Sequence, residues 1–262
     1  MNGSQPQISP PEWFEPPGRS GLRLAFRRVE GSSARPGVIW LGGFKSDMLS
    51  TKAERIANWA RANGRAFLRF DYSGHGESGG RFEDGTIGLW TDESLAAIRA
   101  LTAGPQRLVG SSMGGWIALL VARALAAQGE DSRLAGLVLI APAVDFTQEL
   151  IWPQLPEAAR DEIETKGYWL RPSQYSPDPY PITRGLLEDG RRHLLFGRTI
   201  RSHCPVHILQ GMQDPDVPWT HAMKLVEHLA GDPVALTLIK DGDHRLSREE
   251  DIARLLAAIE GI

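Results

Sequence analysis

The feature that most restricts how this chain can fold is a set of short, uninterrupted apolar runs. Val38-Ile39-Trp40-Leu41, Leu137-Val138-Leu139-Ile140-Ala141, Val206-His207-Ile208-Leu209 and Val234-Ala235-Leu236-Thr237-Leu238-Ile239 are too short for fully buried helices. A strand that is apolar at almost every position has protein on both faces, as in a parallel sheet covered on each side. Stretches with helical spacing separate these runs, at about residues 51–63, 89–101, 113–128, 219–229 and 248–260. Residues 66–70 and 106–109 add two further strands. Residues 22–29 alternate apolar and polar side chains and predict a half-exposed edge strand. The Pro-rich segment 1–20 is expected to be extended or frayed, with Trp13 and Phe14 available to tuck onto the sheet. Strand and helix alternate, so the expected class is α/β: a mostly parallel sheet flanked by helices.

One segment breaks this rhythm. Residues 143–203 lack a strong strand and carry Trp152, Trp169, Tyr175, Tyr180 and Phe196 among six prolines. They predict a helical and loop cap inserted into a core made of residues 1–142 and 204–262. An insertion at the carboxyl ends of parallel strands roofs the place where ligands bind. Trp152, Trp169 and Tyr175 are the candidate substrate-binding residues of this cap.

The strand at 106–109 runs into Gly110-Ser111-Ser112-Met113-Gly114, which has the form G-x-S-x-G. On a sharp strand-to-helix turn this pattern exposes the central serine above the sheet. Ser111 has Val109 and Met113 two positions away on either side, whereas Ser112 has Gly110 and Gly114, so Ser112 is the nucleophile candidate. A serine hydroxyl needs a base, and the base needs an orienting acid. With this elbow both follow the serine in the order acid, then His. His244 comes directly after the last strand and is the candidate base. Asp214 follows the penultimate strand and is the candidate acid, with Asp216 and Asp145 as rivals. A reversal at Pro215 is expected to send Asp216 away from the site. The oxyanion donors expected are the backbone N–H groups of Met113, at a helix N-terminus, and of Phe44, after Gly42-Gly43.

Composition removes other classes. The chain has 262 residues, 42% hydrophobic and 23% charged, with a net charge of -3 and no basic block for nucleic acid. Cys204 is the single cysteine, so no intrachain disulfide can form. Metal-binding spacings such as H-E-x-x-H and C-x-x-C are absent, and no metal or other cofactor is called for. Gly74-His75-Gly76-Glu77-Ser78-Gly79 matches G-x-G-x-x-G only inside an interior loop and reads as turn chemistry. No apolar run reaches a membrane span. The first eighteen residues contain no Lys or Arg and read as neither secretory signal nor transit peptide, so a cytoplasmic location is expected.

Four blocks in this order resemble the α/β-hydrolase superfamily. They are Leu41-Gly42-Gly43-Phe44, then Phe70-Asp71-Tyr72-Ser73-Gly74-His75-Gly76-Glu77-Ser78, then the elbow through Trp116, and finally Gly211-Met212-Gln213-Asp214 with Val217-Pro218 and Gly242-Asp243-His244-Arg245. The likeness spans residues 22–262. Within the superfamily, Arg69-Phe70-Asp71-Tyr72-Ser73-Gly74, Val217-Pro218-Trp219 and Asp243-His244-Arg245 are similar to the subgroup of mitochondrial palmitoyl-protein thioesterases and acyl-glucuronide esterases. The resemblance implies a cofactor-independent serine hydrolase of esters or thioesters, with Ser112, Asp214 and His244 at the family's catalytic positions. It implies small-molecule ester or thioester substrates, or an acylated protein.

Overall fold

The computed structural model describes residues 10–173, 178–229, 231 and 233–262. The elements, in chain order, are β1 (Glu12–Phe14), β2 (Leu24–Val29), β3 (Gly37–Leu41), α1 (Thr51–Ala62), β4 (Phe67–Phe70), α2 (Ile87–Leu101), β5 (Gln106–Ser111), α3 (Met113–Ala127) and β6 (Leu134–Ile140). After β6 come α4 (Glu157–Lys166), β7 (Tyr168–Arg171), β8 (Tyr180–Thr183) and α5 (Arg184–Arg192). The chain then returns through β9 (Val206–Gly211), α6 (Trp219–His228), β10 (Val234–Ile239) and α7 (Glu249–Gly261).

Eight strands form one sheet in the order β1-β2-β4-β3-β5-β6-β9-β10. The pairs β1–β2 and β2–β4 are antiparallel, and every pair from β4–β3 to β9–β10 is parallel. The two-residue period of a strand divides its side chains between the two faces. Val38 and Trp40 of β3 join Val109, Val138, Ile140 and Leu209 under α1 and α7. Ile39 and Leu41 join Leu108, Leu137, Leu139 and Ile208 against α2, α3 and α6. Both faces are therefore apolar, which is why the inner runs read as continuous.

Two expectations are corrected. The segment around β2 is not the sheet edge, because Trp13 and Phe14 add β1 outside it in register with Ala25 and Leu24. The segment between β6 and β9 does contain strands: β7 and β8 pair antiparallel, Tyr168 with Thr183 and Arg171 with Tyr180. Tyr-Trp-Leu-Arg and Tyr-Pro-Ile-Thr give no apolar run, since the hairpin packs on one side only and Tyr168 and Leu170 stay exposed. Tyr175 lies outside the described residues.

The segment between β6 and β9 is tied down at its return. The buried carboxylate of Asp145, just beyond β6, accepts from the N–H groups of Leu195 (2.9 Å) and Phe196 (2.8 Å). Trp116 Nε1 donates to the carbonyl of His193 at 3.3 Å, and Asp189 accepts from the Gly88 N–H at 2.7 Å. These bonds hold α5 against α2 and α3 and leave the hairpin end facing the carboxyl edge of the sheet.

Candidate active site

Four parallel strands deliver the candidate groups to one sheet edge: β3 leads to Phe44, β5 to Ser112, β9 to Asp214 and β10 to His244. Ser112 has φ 55° and ψ −117°, a conformation that costs free energy for a residue with a side chain. Its backbone is pinned there, its N–H donating to Ile140 O at 2.8 Å and its carbonyl accepting from Ala143 N at 3.1 Å. The flanking glycines allow close approach. A Cβ on Gly114 would overlap the carbonyls of Leu41 and Gly42, and one on Gly110 would overlap that of Gly114. Gly43 lies beside the nucleophile: a Cβ added there would come into van der Waals contact with Ser112 Cβ, at 3.5 Å.

The Asp214 carboxylate is fully buried and accepts four hydrogen bonds. Oδ2 accepts from His244 Nδ1 at 2.7 Å and from Gln210 Nε2 at 3.3 Å. Oδ1 accepts from the N–H groups of Asp216 (2.8 Å) and Val217 (2.9 Å). Each oxygen therefore accepts two hydrogen bonds, which fix the carboxylate's orientation toward the ring of His244. The bond from Nδ1 leaves His244 Nε2 as the nitrogen with a lone pair in the neutral ring. Asp216 does not turn away as expected. It stays at the cavity wall, a carboxylate oxygen lying within 4.8 Å of both a carboxylate oxygen of Asp214 and a ring nitrogen of His244, because the Asp214 side chain folds the 214–217 turn back on itself.

Ser112 and His244 line one cavity of about 560 Å³, within the usual size of small-molecule sites. Met113, Phe44 and Gly43 form its floor, while Phe146, Leu150, Ile151, Tyr180 and Ile182 wall it from the segment after β6. The Phe44 ring packs against Phe82 (4.9 Å), Phe146 (5.7 Å) and Tyr180 (6.1 Å). Among the described residues, neither the Phe44 N–H nor the Met113 N–H donates to another protein group. Cations also reach this wall: Lys45, Lys52, Arg171 and Arg245 line it together with Asp47 and Asp216. Burial, and then the Arg245 charge, lower the Lys52 pKa to about 8, and its ammonium donates to the Arg245 carbonyl.

The aromatic residues expected to bind substrate are placed elsewhere. Trp152 is not among the lining residues; its ring is flanked by the guanidinium groups of Arg160 (5.1 Å) and Arg191 (5.2 Å). Trp169 packs on the core and does not line the cavity either. Size marks a side chain for burial but does not say in which direction it points. Neighbouring Phe146, Tyr180 and Ile182 take the wall positions instead. Two polar residues went unforeseen. Gln210 is a polar group ending an apolar strand run, and Lys45 is the residue after the expected oxyanion donor.

Asp145, a rival for the acid, is occupied by Leu195 and Phe196 and shows no bond to His244. Burial raises its pKa to about 6, against the lowering effect of those two N–H groups.

Comparison with known proteins places nearly the whole chain among its relatives. The model of the alpha/beta hydrolase family matches residues 11–258. Bovine mitochondrial palmitoyl-protein thioesterase ABHD10 is 38% identical over 242 residues, covering 91% of this chain and 76% of that protein. The crystal structure of a putative hydrolase from Agrobacterium vitis S4 superposes with a TM-score of 0.92 at 48% identity, covering 96% of this chain and 97% of the other. Mouse alpha/beta hydrolase domain-containing protein 10 superposes with a TM-score of 0.83 at 33% identity, covering 97% and 98%. The expectation of a cytoplasmic protein is corrected here, because the curated ABHD10 relatives from five mammals are named as mitochondrial. Compartment is written in targeting signals rather than in the composition of a folded core. No helix among the described residues is long and apolar enough to cross a membrane. Since the family model covers most of the chain and the ABHD10 relatives are more than 30% identical over nearly all of it, the chain belongs to the alpha/beta hydrolase family.

Proposed function

We propose that this protein hydrolyses carboxylic esters or thioesters through an acyl-enzyme on Ser112, with His244 as general base and acid and Asp214 as its orienting partner. One observation carries the reading: a serine at φ 55° shares a cavity with a histidine whose Nδ1 donates to a fully buried carboxylate at 2.7 Å. His244 Nε2 takes the Ser112 proton as Oγ attacks the acyl carbon. The carbonyl oxygen becomes an oxyanion, which the N–H groups of Met113 and Phe44 receive. Collapse expels the alcohol or thiol, which leaves with the proton from His244. Water then attacks the acyl-Ser112 ester, gives its proton to His244, and the acid is released as Ser112 recovers its hydrogen. Every step uses protein groups and water alone.

Residues 143–203 act in this reading as a cap that walls the acyl site. The apolar side chains of Phe146, Leu150, Ile151 and Ile182 suit an acyl chain, and the name of the ABHD10 relatives supports an acyl thioester as substrate. The substrate is then an acylated thiol, on a protein or a small molecule. Turnover of a p-nitrophenyl ester and of an acyl thioester series tests the proposal. Both activities are expected in the wild type and neither in Ser112→Ala. Undiminished turnover by Ser112→Ala would reject the nucleophile, and activity on esters alone would reject the thioester substrate.

A further inference from the structure

His75 fits no step of the chemistry above, yet it is one of the best-held side chains in the molecule. It is 3% exposed, and its ring meets Trp90 (5.0 Å), Phe82 (5.0 Å) and Tyr72 (5.5 Å) edge-on. Its two nitrogens have unlike partners. Nδ1 lies 3.2 Å from the carbonyl of Ser73, which can only accept, so Nδ1 carries the hydrogen. Nε2 lies 3.2 Å from the backbone nitrogen of Lys45, whose N–H can only donate, so Nε2 presents a lone pair. Only the neutral Nδ1–H ring satisfies both. Burial, with the Lys45 charge as a smaller contribution, keeps it neutral by lowering the pKa to about 4 against the raising effect of the Ser73 carbonyl.

The residue it grips is the awkward one. Gly43 to Ser46 is a β-turn closed by Ser46 N–H donating to Gly43 O at 3.1 Å. Lys45 is its third residue and has φ 58°. A positive φ at that place is ordinarily supplied by glycine. Here a lysine adopts it, held by His75 through its N–H and by the Phe82 face beneath its ammonium (4.3 Å). The second residue of the same turn is Phe44, the oxyanion donor.

We propose that His75 is a positioning residue for the oxyanion loop: by accepting the Lys45 N–H it fixes the Gly43–Ser46 turn, and so presents the Phe44 N–H to the reacting carbonyl. The inference rests on the oxyanion role proposed for Phe44. Losing one oxyanion donor costs about 10²–10³ in kcat, so loosening it should cost about tenfold to a hundredfold. KM should change little, because a ground-state carbonyl depends on this donor less than the transition state does.

The test is a kinetic series on a p-nitrophenyl ester. His75→Phe keeps an aromatic ring among Trp90, Phe82 and Tyr72 but has no acceptor, and is expected to lose ten- to hundredfold in kcat with KM within about twofold. His75→Gln places an amide oxygen near the position of Nε2 and should recover most of kcat, while the shorter His75→Asn should not. Lys45→Gly in the His75→Phe background should also restore kcat, since glycine takes the positive φ unaided. Wild-type kcat in His75→Phe, or equal kcat in the Gln and Asn variants, would overturn the proposal. Should His75→Phe not fold, the Gln and Asn pair decides alone. Activity that survives Ser112→Ala would instead reject the reading of the whole site, so the two failures are separable.

Discussion

Asp214→Asn is the substitution whose effect follows most directly from the hydrogen bonds. The carboxylate has two oxygens and four donors around it: the N–H groups of Asp216 and Val217 on Oδ1, and His244 Nδ1 and Gln210 Nε2 on Oδ2. Asparagine can offer an oxygen to only one pair. If its NH₂ faced the two backbone donors, two buried N–H groups would lose their acceptor, at about 1–3 kcal/mol each. The oxygen therefore stays with the backbone, and the NH₂ turns toward His244. Nδ1 must then accept, the ring hydrogen moves to Nε2, and His244 can no longer take the Ser112 proton. The wrong tautomer in a serine triad lowers kcat about 10⁴-fold, or about 5 kcal/mol of barrier. Gln210 keeps its bonds to Gly211 O and Val217 O at 3.0 Å, so the local fold has support without the carboxylate. Steady-state hydrolysis of p-nitrophenyl butyrate, with thermal melting as a control for folding, measures the effect. Asp214→Asn within tenfold of wild type would refute the argument, and a large loss in Asp216→Asn alone would move the acid to Asp216.

Three further outcomes follow from the same geometry. Gly114→Ala forces a Cβ into the carbonyls of Leu41 and Gly42, so it should destabilise by about 1–3 kcal/mol or more and lower the melting temperature. Leu150→Trp should narrow the cavity and raise KM for long-chain esters more than for short-chain ones; equal changes would remove the acyl chain from that wall. The third concerns pH. The depressed pKa of His75, about 4 against 6.5, stabilises the fold fully above pH 6.5, and this contribution is lost as pH falls through 4. The stability difference between wild type and His75→Phe, from urea titrations, should therefore shrink by about 3 kcal/mol between pH 7 and pH 4. Asp71 and Asp145, both raised to about 6 mainly by burial, act in the opposite sense, but they are common to both proteins.

The fold was legible where burial is two-sided. β3 and β6 lie under protein on both faces, so their sequences carry no polar interruption to confuse the reading, and β9 was readable despite His207 because Val206, Ile208 and Leu209 are buried. β1 was not legible as a strand, because three residues beside a Pro-rich segment take their pairing from β2 rather than from their own pattern. β7 and β8 failed for a related reason: a hairpin packed on one side, with Pro181 inside β8, has neither the run nor the clean alternation of a core strand. At the site, Ser112, Asp214 and His244 were readable because each follows a recognisable strand. The cavity wall was not, since Trp152 and Trp169 differ from Tyr180 only in which way the backbone turns them. His75 reads in sequence only as part of a turn-rich loop, and its bond to Lys45 depends on two loops far apart in sequence meeting at the sheet edge.

The central claim is that one serine, at the apex of the strand-to-helix turn, forms the covalent bond to substrate. A fluorophosphonate probe followed by mass spectrometry of the digested protein measures this directly. The account predicts a single adduct on Ser112, present in Ser111→Ala and abolished in Ser112→Ala. An adduct on Ser111, or labelling that persists in Ser112→Ala, would contradict it.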